Sequence, residues 1–464
     1  MAELVRGIIL ASLEGHRIDR IALRSSFLKN FISLQILELI DKWLFDQQTF
    51  MSPFTIPNLD IMKILILADV LYPDTIGGAG RVVYHLALEL SGKGHRIYII
   101  TRNHDGKWPS QHELAPNLFV HRFFSPSKES LGLFLREIRN SYHLAKKLSH
   151  KINFDLVCSH QSLVALGPLL LRNFRQIPLF HYFHSPWYEE FLVKKQEDRT
   201  KTGKRNKIIA FVMRRIEKRI LCRADRVIVL SEYMRDRAVE IHNYPEDRVM
   251  KIPGGVDLDR YNLPIGGKGA AKEAVKLSTN KTIFLTVRNL VPRMGLEALI
   301  ESFSKSRVLR DKGLLLIGGR GFLESNLKAQ VESSDLNDTV RFLGYVSDEE
   351  LLQVYQASDF FVLPTRELEG FGLVILEAMA SGTPVLGTPI GGIPELIGAF
   401  DKRLIFDGTG WQDMRNKLEE VIERPDKFRF DPQDCRTFVE ERFSWKKAAD
   451  AFEQETERFV EEGK

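Results

Sequence analysis

Lysine and arginine total 66 of 464 residues against 61 aspartates and glutamates, a near balance that gives no global field for nucleic-acid binding. The length is too great for a single core and implies two domains. Cys158, Cys222 and Cys435 stand far apart, with no CxxC pair and no histidine at metal-binding spacing, so reduced structural thiols in a cytoplasmic setting fit better than a disulfide framework.

No stretch holds the roughly 20 uninterrupted apolar residues of a membrane-spanning helix. Phe27 to Phe45 comes nearest, but Lys29, Glu38, Asp41 and Lys42 break it in an amphipathic rhythm. Met62 opens MKILILADVLYP, a first strand, so residues 1–61 read as an extension ahead of the globular chain or as an upstream start. From Met62 onward short apolar strands alternate with helical patterns, which predicts an α/β doubly wound domain. Gly77 and Gly78 fall at the carboxyl end of its first strand, where ligands bind in such sheets; a plain tight turn is the competing reading. His184 follows the apolar run PLFHYF, a position more often structural than catalytic, and His181 lies within that run.

Residues 193–223 form the most basic stretch, with Ile208, Ile209, Phe211, Val212, Ile216 and Ile220 at partly helical spacing. Such a segment can rest on an anionic membrane surface at the inner face; packing of its apolar stripe on the domain, with solvated charges, is the plainer reading. Ser231 is placed to cap the next helix. The Pro-Gly-Gly turn at Pro253 to Gly255 then marks a domain boundary, giving 62–256 and 257–442 as the two domains and 443–464 as a terminal helix.

In the second domain the run TIFLTVRNLVPRMG carries Arg288 and Arg293 five positions apart. A later strand is followed by a helix for which Ser347 and Glu350 form a capping box. DFFVLPT (Asp359 to Thr365) reads as a buried strand stopped by proline, and Leu373 to Ala380 as a helix ending at Gly382. Between them lie Glu369, Gly370, Phe371 and Gly372, with Glu377 a turn and a half into the helix. Strand, glycine loop and helix start together form an anion site. Glu377 is placed to accept hydrogen bonds from a vicinal diol, as an acidic residue does against a ribose in dinucleotide folds. Pro394 and Glu395 repeat the loop-to-helix device, as a cap or a ligand contact.

The run from Glu369 to Glu377 resembles the E-x7-E region of the family 4 retaining glycosyltransferases, and the resemblance extends from about Met62 to the C-terminus. It implies the GT-B fold, in which two Rossmann-like domains face a cleft and a terminal helix crosses back to the first. It implies that Glu369 contacts the transferred sugar, that Gly370 through Leu373 hold the diphosphate and that Glu377 holds the ribose. The same resemblance places Gly77 and Gly78 beside the donor phosphates and His184 beside the bound sugar, making it a catalytic candidate with Glu369. It implies a nucleotide-sugar substrate such as a UDP- or GDP-sugar, an acceptor glycan or lipid-linked saccharide, and no cofactor. Asp257 and Asp259 form a D-x-D, but in this family that segment is the interdomain connection, so no metal is implied.

One departure stands out. The family's phosphate-gripping Arg and Lys fall on Asn289 and Met294, while Arg288 and Arg293 sit one residue earlier. A one-residue move on a strand reverses the side chain, so Arg293, expected in the loop, is the stronger candidate. That departure also motivates the alternative of a non-catalytic nucleotide-sugar-binding protein; a GT-B sugar-nucleotide epimerase is a third reading.

Overall fold

The computed structural model describes residues 59–75, 77–125, 131–197, 203–277 and 280–462. All but the last three residues of the segment 1–61 lie outside the described residues. Two parallel sheets are built in sequence. The first contains β1 (Lys63–Leu67), β2 (Arg96–Asn103), β3 (Gln111–Ala115), β4 (Leu118–Phe124), β5 (Leu156–Ser159), β6 (Leu179–Tyr182), β7 (Arg226–Val229) and β8 (Val249–Lys251). Their spatial order is β3-β4-β2-β1-β5-β6-β7-β8, parallel except for β3 against β4. The second contains β9 (Thr282–Val287), β10 (Gly313–Gly318), β11 (Val340–Gly344), β12 (Phe360–Leu363) and β13 (Val385–Gly387), in the order β11-β10-β9-β12-β13, all parallel.

Strands β5, β6, β7, β10 and β12 are buried at every position. Helices cover both faces of such sheets, which is why their strands read as unbroken apolar runs rather than alternating ones. The order reverses beside β1 in the first sheet and beside β9 in the second, and the crevice outside the carboxyl ends of the strands at such a reversal is where doubly wound sheets hold ligands. The two crevices meet between the domains.

Two chain crossings join the halves side by side. Val256 N–H donates to the Phe443 carbonyl at 3.0 Å, and Val256 forms an isolated parallel bridge with Ser444. Gly255 is needed there, since a methyl at that position would stand 2.3 Å from the Trp445 nitrogen. The terminal helix Trp445–Glu462 then packs back on the first domain. Trp445 stacks on His85 with ring centres 4.9 Å apart, Phe452 meets Phe180 edge-on, and Arg226 pairs with Glu455 at 2.7 Å.

Of the basic stretch 193–223, residues 193–197 end the helix Trp187–Glu197 and 204–223 form the helix Lys204–Arg223, while 198–202 lie outside the described residues. Its Ile216 and Ile220 are buried in the first domain's core, whereas Phe211 is exposed under the Arg215 guanidinium. Most of the predicted stripe is therefore spent on packing. Among the described residues no helix is long and apolar enough to cross a membrane.

Candidate active site

Leu363 ends β12, and the chain reaches the helix Leu373–Ala380 through a tight loop. Leu368 sits at φ 54°, a left-handed conformation costing a non-glycine residue on the order of 1 kcal/mol, directly before Glu369. Gly372, at φ 94°, forms the helix N-cap, where a side chain would be strained, and so no cap side chain covers the first turn. Gly391 packs against the same loop so closely that a methyl there would stand 1.9 Å from the Glu369 carbonyl oxygen. Fixed backbone and an uncapped positive helix end are the elements of an anion cradle.

Arg288 supplies the cation. Its guanidinium donates to Glu369 Oε2 at 2.6 Å and to Thr365 Oγ1 at 3.0 Å. The expectation that a one-residue move would turn Arg288 away from the loop is corrected: it stands just past Val287, the last residue of β9, with its N–H still donating to the Gly318 carbonyl at 3.1 Å, and its side chain faces the Glu369 loop. Arg293, on the short turn Pro292–Met294, reaches the Leu368 carbonyl at 3.3 Å. Both arginines therefore flank the Glu369 loop, with Arg288 in direct contact with its carboxylate. Asn289 is exposed and Met294 is buried in the core, and neither side chain carries a charge.

Glu377 is buried, at 5 % exposure. Burial pushes its carboxyl up from the usual value, while Arg81 at 3.7 Å and the Tyr355 hydroxyl at 3.3 Å oppose that shift. Arg81 had no part in the sequence reading. It lies one turn into the helix Gly78–Gly92, straight after the Gly77-Gly78 loop, and a methyl on Gly78 would stand 3.8 Å from Leu373.

The first domain contributes histidines. His184, just past β6, has Nε2 3.0 Å from His160 Nδ1, and His160 in turn stacks on Tyr182 at 4.4 Å. His181 is bound inside the sheet to Ser159 Oγ at 2.8 Å. Burial lowers the pKa of His184 to about 4 and that of His181 to about 3, and holds His160 well below 6.5, so all three rings are neutral near pH 7. His160 directly follows β5 and His184 stands two residues past β6, and the run CSH was the visible signal of the former. A cavity at this point is lined by Ala79, Gln161, Ser162 and the histidines.

The halves touch at the glycine loop. A methyl at Gly370 would stand 2.7 Å from the His184 carbonyl oxygen, and Ser231 Oγ donates to the Gly370 carbonyl at 2.6 Å while capping its own helix by accepting from Met234 N–H. Glu395, left open between cap and ligand contact, is a clasp between domains: it accepts from Glu232 N–H at 2.8 Å and from Lys251 Nζ at 3.0 Å. Asp257 of the D-x-D accepts the Arg260 N–H at 3.1 Å within its own turn.

Two doubly wound parallel domains apposed at their switch points, with a terminal helix returning to the first, define the GT-B class. Residues 76–260 match the model described as Glycosyltransferase Family 4 and residues 268–437 the model Glycosyl transferases group 1. The chain is 26% identical over 395 residues to a D-inositol 3-phosphate glycosyltransferase of Saccharomonospora viridis, covering 81% of this chain and 88% of that protein. It is also 26% identical over 364 residues to the enzyme of the same name from Mycolicibacterium smegmatis, covering 75% and 79%. In fold it is similar to a sucrose-phosphate synthase from Thermosynechococcus elongatus, with a TM-score of 0.72 at 23% identity over 85% of this chain and 98% of that one. Anabaena HepE, solved with UDP and glucose, gives a TM-score of 0.64 at 18% identity over 86% and 100%. The chain belongs to the family 4 glycosyltransferases of GT-B fold, and it is an enzyme of glycosyl transfer.

Proposed function

We propose that this enzyme moves a hexose-type sugar from a nucleotide-sugar, a UDP- or GDP-sugar, to an acceptor hydroxyl with retention of anomeric configuration and without a metal ion, in the synthesis of a glycan, glycolipid or surface polysaccharide. The observation that carries this reading is the meeting of the Glu369–Gly372 loop, which follows β12, with the His184 carbonyl, which follows β6, at the carboxyl ends of both sheets. Solved proteins of like fold support the donor class: one was crystallised with UDP and glucose, another, the catalytic domain of a starch synthase IV from Arabidopsis thaliana, with ADP and acarbose.

The chemistry follows from charge. As the bond from the anomeric carbon to the donor phosphate breaks, the sugar gains oxocarbenium character and the departing diphosphate gains negative charge. Arg288, Arg293 and the uncapped start of the helix Leu373–Ala380 would meet that charge with dipoles already in place, which lowers the barrier. The acceptor oxygen then bonds to the anomeric carbon from the face the phosphate left, and its proton passes to a departing phosphate oxygen. Glu369 would hold the sugar hydroxyls, Glu377 the ribose diol, and the Gly77-Gly78 loop the phosphates from the opposite side. Neutral His184 lies on the acceptor side. In this reading the enzyme works in the cytoplasm, with its basic helix against an anionic membrane face; the exposed Phe211 among arginines supports that contact, and sedimentation with anionic liposomes tests it.

The decisive measurement is release of nucleoside diphosphate from a panel of UDP-, GDP- and ADP-sugars with mixed acceptors, with product configuration read by NMR. Absence of binding of every donor by calorimetry overturns the reading, and an inverted product overturns retention.

A further inference from the structure

Between the first-domain helix Gly78–Gly92 and the second-domain helices Asp348–Ala357 and Leu373–Ala380, a group of charged side chains joins the domains. Arg81 pairs with Asp348 at 3.0 Å and lies 3.7 Å from Glu377, while its guanidinium carbon stands 4.7 Å from the centre of the Tyr72 ring. The second oxygen of Asp348 accepts from the Tyr72 hydroxyl at 2.5 Å and faces Arg260 at 3.1 Å. Tyr72 and Arg81 belong to the first domain, Arg260 to the connection, and Asp348 and Glu377 to the second domain, so this charge network exists only when the domains are apposed.

Glu377 has little other means of staying charged. A carboxylate this buried takes up a proton unless a cation or hydrogen bonds compensate its lost hydration, and a protonated carboxyl is a poor acceptor for a diol. The groups facing it are Arg81, the hydroxyls of Tyr355 and Tyr261, and more distantly Asp348 and Arg260. On the neighbouring helix Pro432–Arg442, Arg436 is committed to the carbonyls of Leu258, Tyr261 and Ala380. Of the cations, Arg81 opposes the burial of Glu377 most strongly, and it comes from the other domain.

We propose that Arg81 is a positioning residue for the donor: reaching across the cleft, it keeps Glu377 ionised and aimed at the ribose diol, so that the full grip on the nucleotide forms only when the two domains are together. The inference rests on the nucleotide-sugar reading above. It makes Asp348 the partner that fixes the Arg81 fork, with Tyr72 and Arg260 holding Asp348 in turn. Donor binding and domain apposition then become one equilibrium, since whatever separates the helices takes the cation from Glu377.

Isothermal titration of UDP and GDP as a function of pH tests this, with melting temperature recorded for each variant. In the unmodified enzyme the Kd is flat near neutrality and rises on acidification. In Arg81→Ala the nucleotide Kd rises at least tenfold near neutrality and then about tenfold for each further pH unit of acidification, because the acid limb has moved upward. Arg81→Lys, which keeps the charge, restores most of the affinity and returns the limb toward its original place. A loss of affinity equal at every pH, or no loss, overturns the inference and leaves Arg81 a structural tie. Should Arg81→Ala not fold, Arg81→Gln, which keeps a side-chain donor but not the charge, answers the same question: the limb moves upward, and an unmoved limb refutes the role. Failure of the unmodified enzyme to bind any nucleotide at any pH instead refutes the donor assignment, a result distinct from pH-insensitive binding by Arg81→Ala.

Discussion

Arg288→Ala should damage donor turnover far more than Arg293→Ala, the reverse of what spacing alone suggests. The Arg288 side chain is 8 % exposed and donates to the Glu369 carboxylate and the Thr365 hydroxyl. A charge-assisted bond of this kind contributes about 1.5–3 kcal/mol, and a donor aimed at charge developing in a transition state contributes about 2.7–4 kcal/mol, or roughly 10²–10³ in kcat. Arg293 donates to the Leu368 carbonyl at 3.3 Å, a contact to the loop backbone. We therefore expect kcat/KM for the donor to fall about 10²-fold or more in Arg288→Ala, and by less in Arg293→Ala. Arg288→Lys should recover only part of the loss, because a point charge cannot bridge two acceptors as a planar fork does. Leaving Glu369 unpaired should also lower stability by about 2 kcal/mol, a fall in melting temperature of about 4–8 °C. Steady-state release of nucleoside diphosphate measures the first effect and calorimetry the second. A larger kinetic loss in Arg293→Ala than in Arg288→Ala would refute the reasoning, since it would move the main charge-meeting role from Arg288 to Arg293.

Glu377→Ala should weaken nucleotide binding, whereas Glu369→Ala should lower kcat more than affinity; the opposite division, read by calorimetry and initial rates, reverses the two assignments. Gly391→Ala places a methyl 1.9 Å from the Glu369 carbonyl at a residue with φ 61°, and should displace that loop, with a loss of turnover exceeding the loss of stability; unchanged kcat would show that the loop accommodates it. Stability should decline as the medium is acidified from about pH 6.5 toward pH 4. Burial lowers the folded-state pKa of His184 from its usual 6.5 to about 4 and acts the same way on His160 and His181, so the unfolded chain binds more protons across that window and the stabilisation present above pH 6.5 is lost as pH falls. A melting temperature constant through that window counts against neutral buried rings.

The alternation of strands and helices and the helix Leu373–Ala380 were legible because each rests on local chemistry: unbroken apolar runs for buried parallel strands, and glycines where the backbone turns left-handed; the GT-B arrangement came from the resemblance. Ser231 and the Ser347–Glu350 pair were legible for the same reason, since a cap and its target are three residues apart. The direction of Arg288 was not. It depends on Thr365 and Glu369, 77 and 81 positions away, which no local pattern brings to it.

Sequence by itself thus determined the two doubly wound domains and the chain positions of Glu369, Glu377 and His184, because strand, loop and helix signals act over a few residues. Tertiary structure decided what those residues face. Arg81 and Asp348 are 267 positions apart, and Ser231 and Gly370 139; no local pattern encodes such pairs. They arise when burial of two sheets' helices and the return of the Trp445–Glu462 helix bring the carboxyl ends of both sheets together.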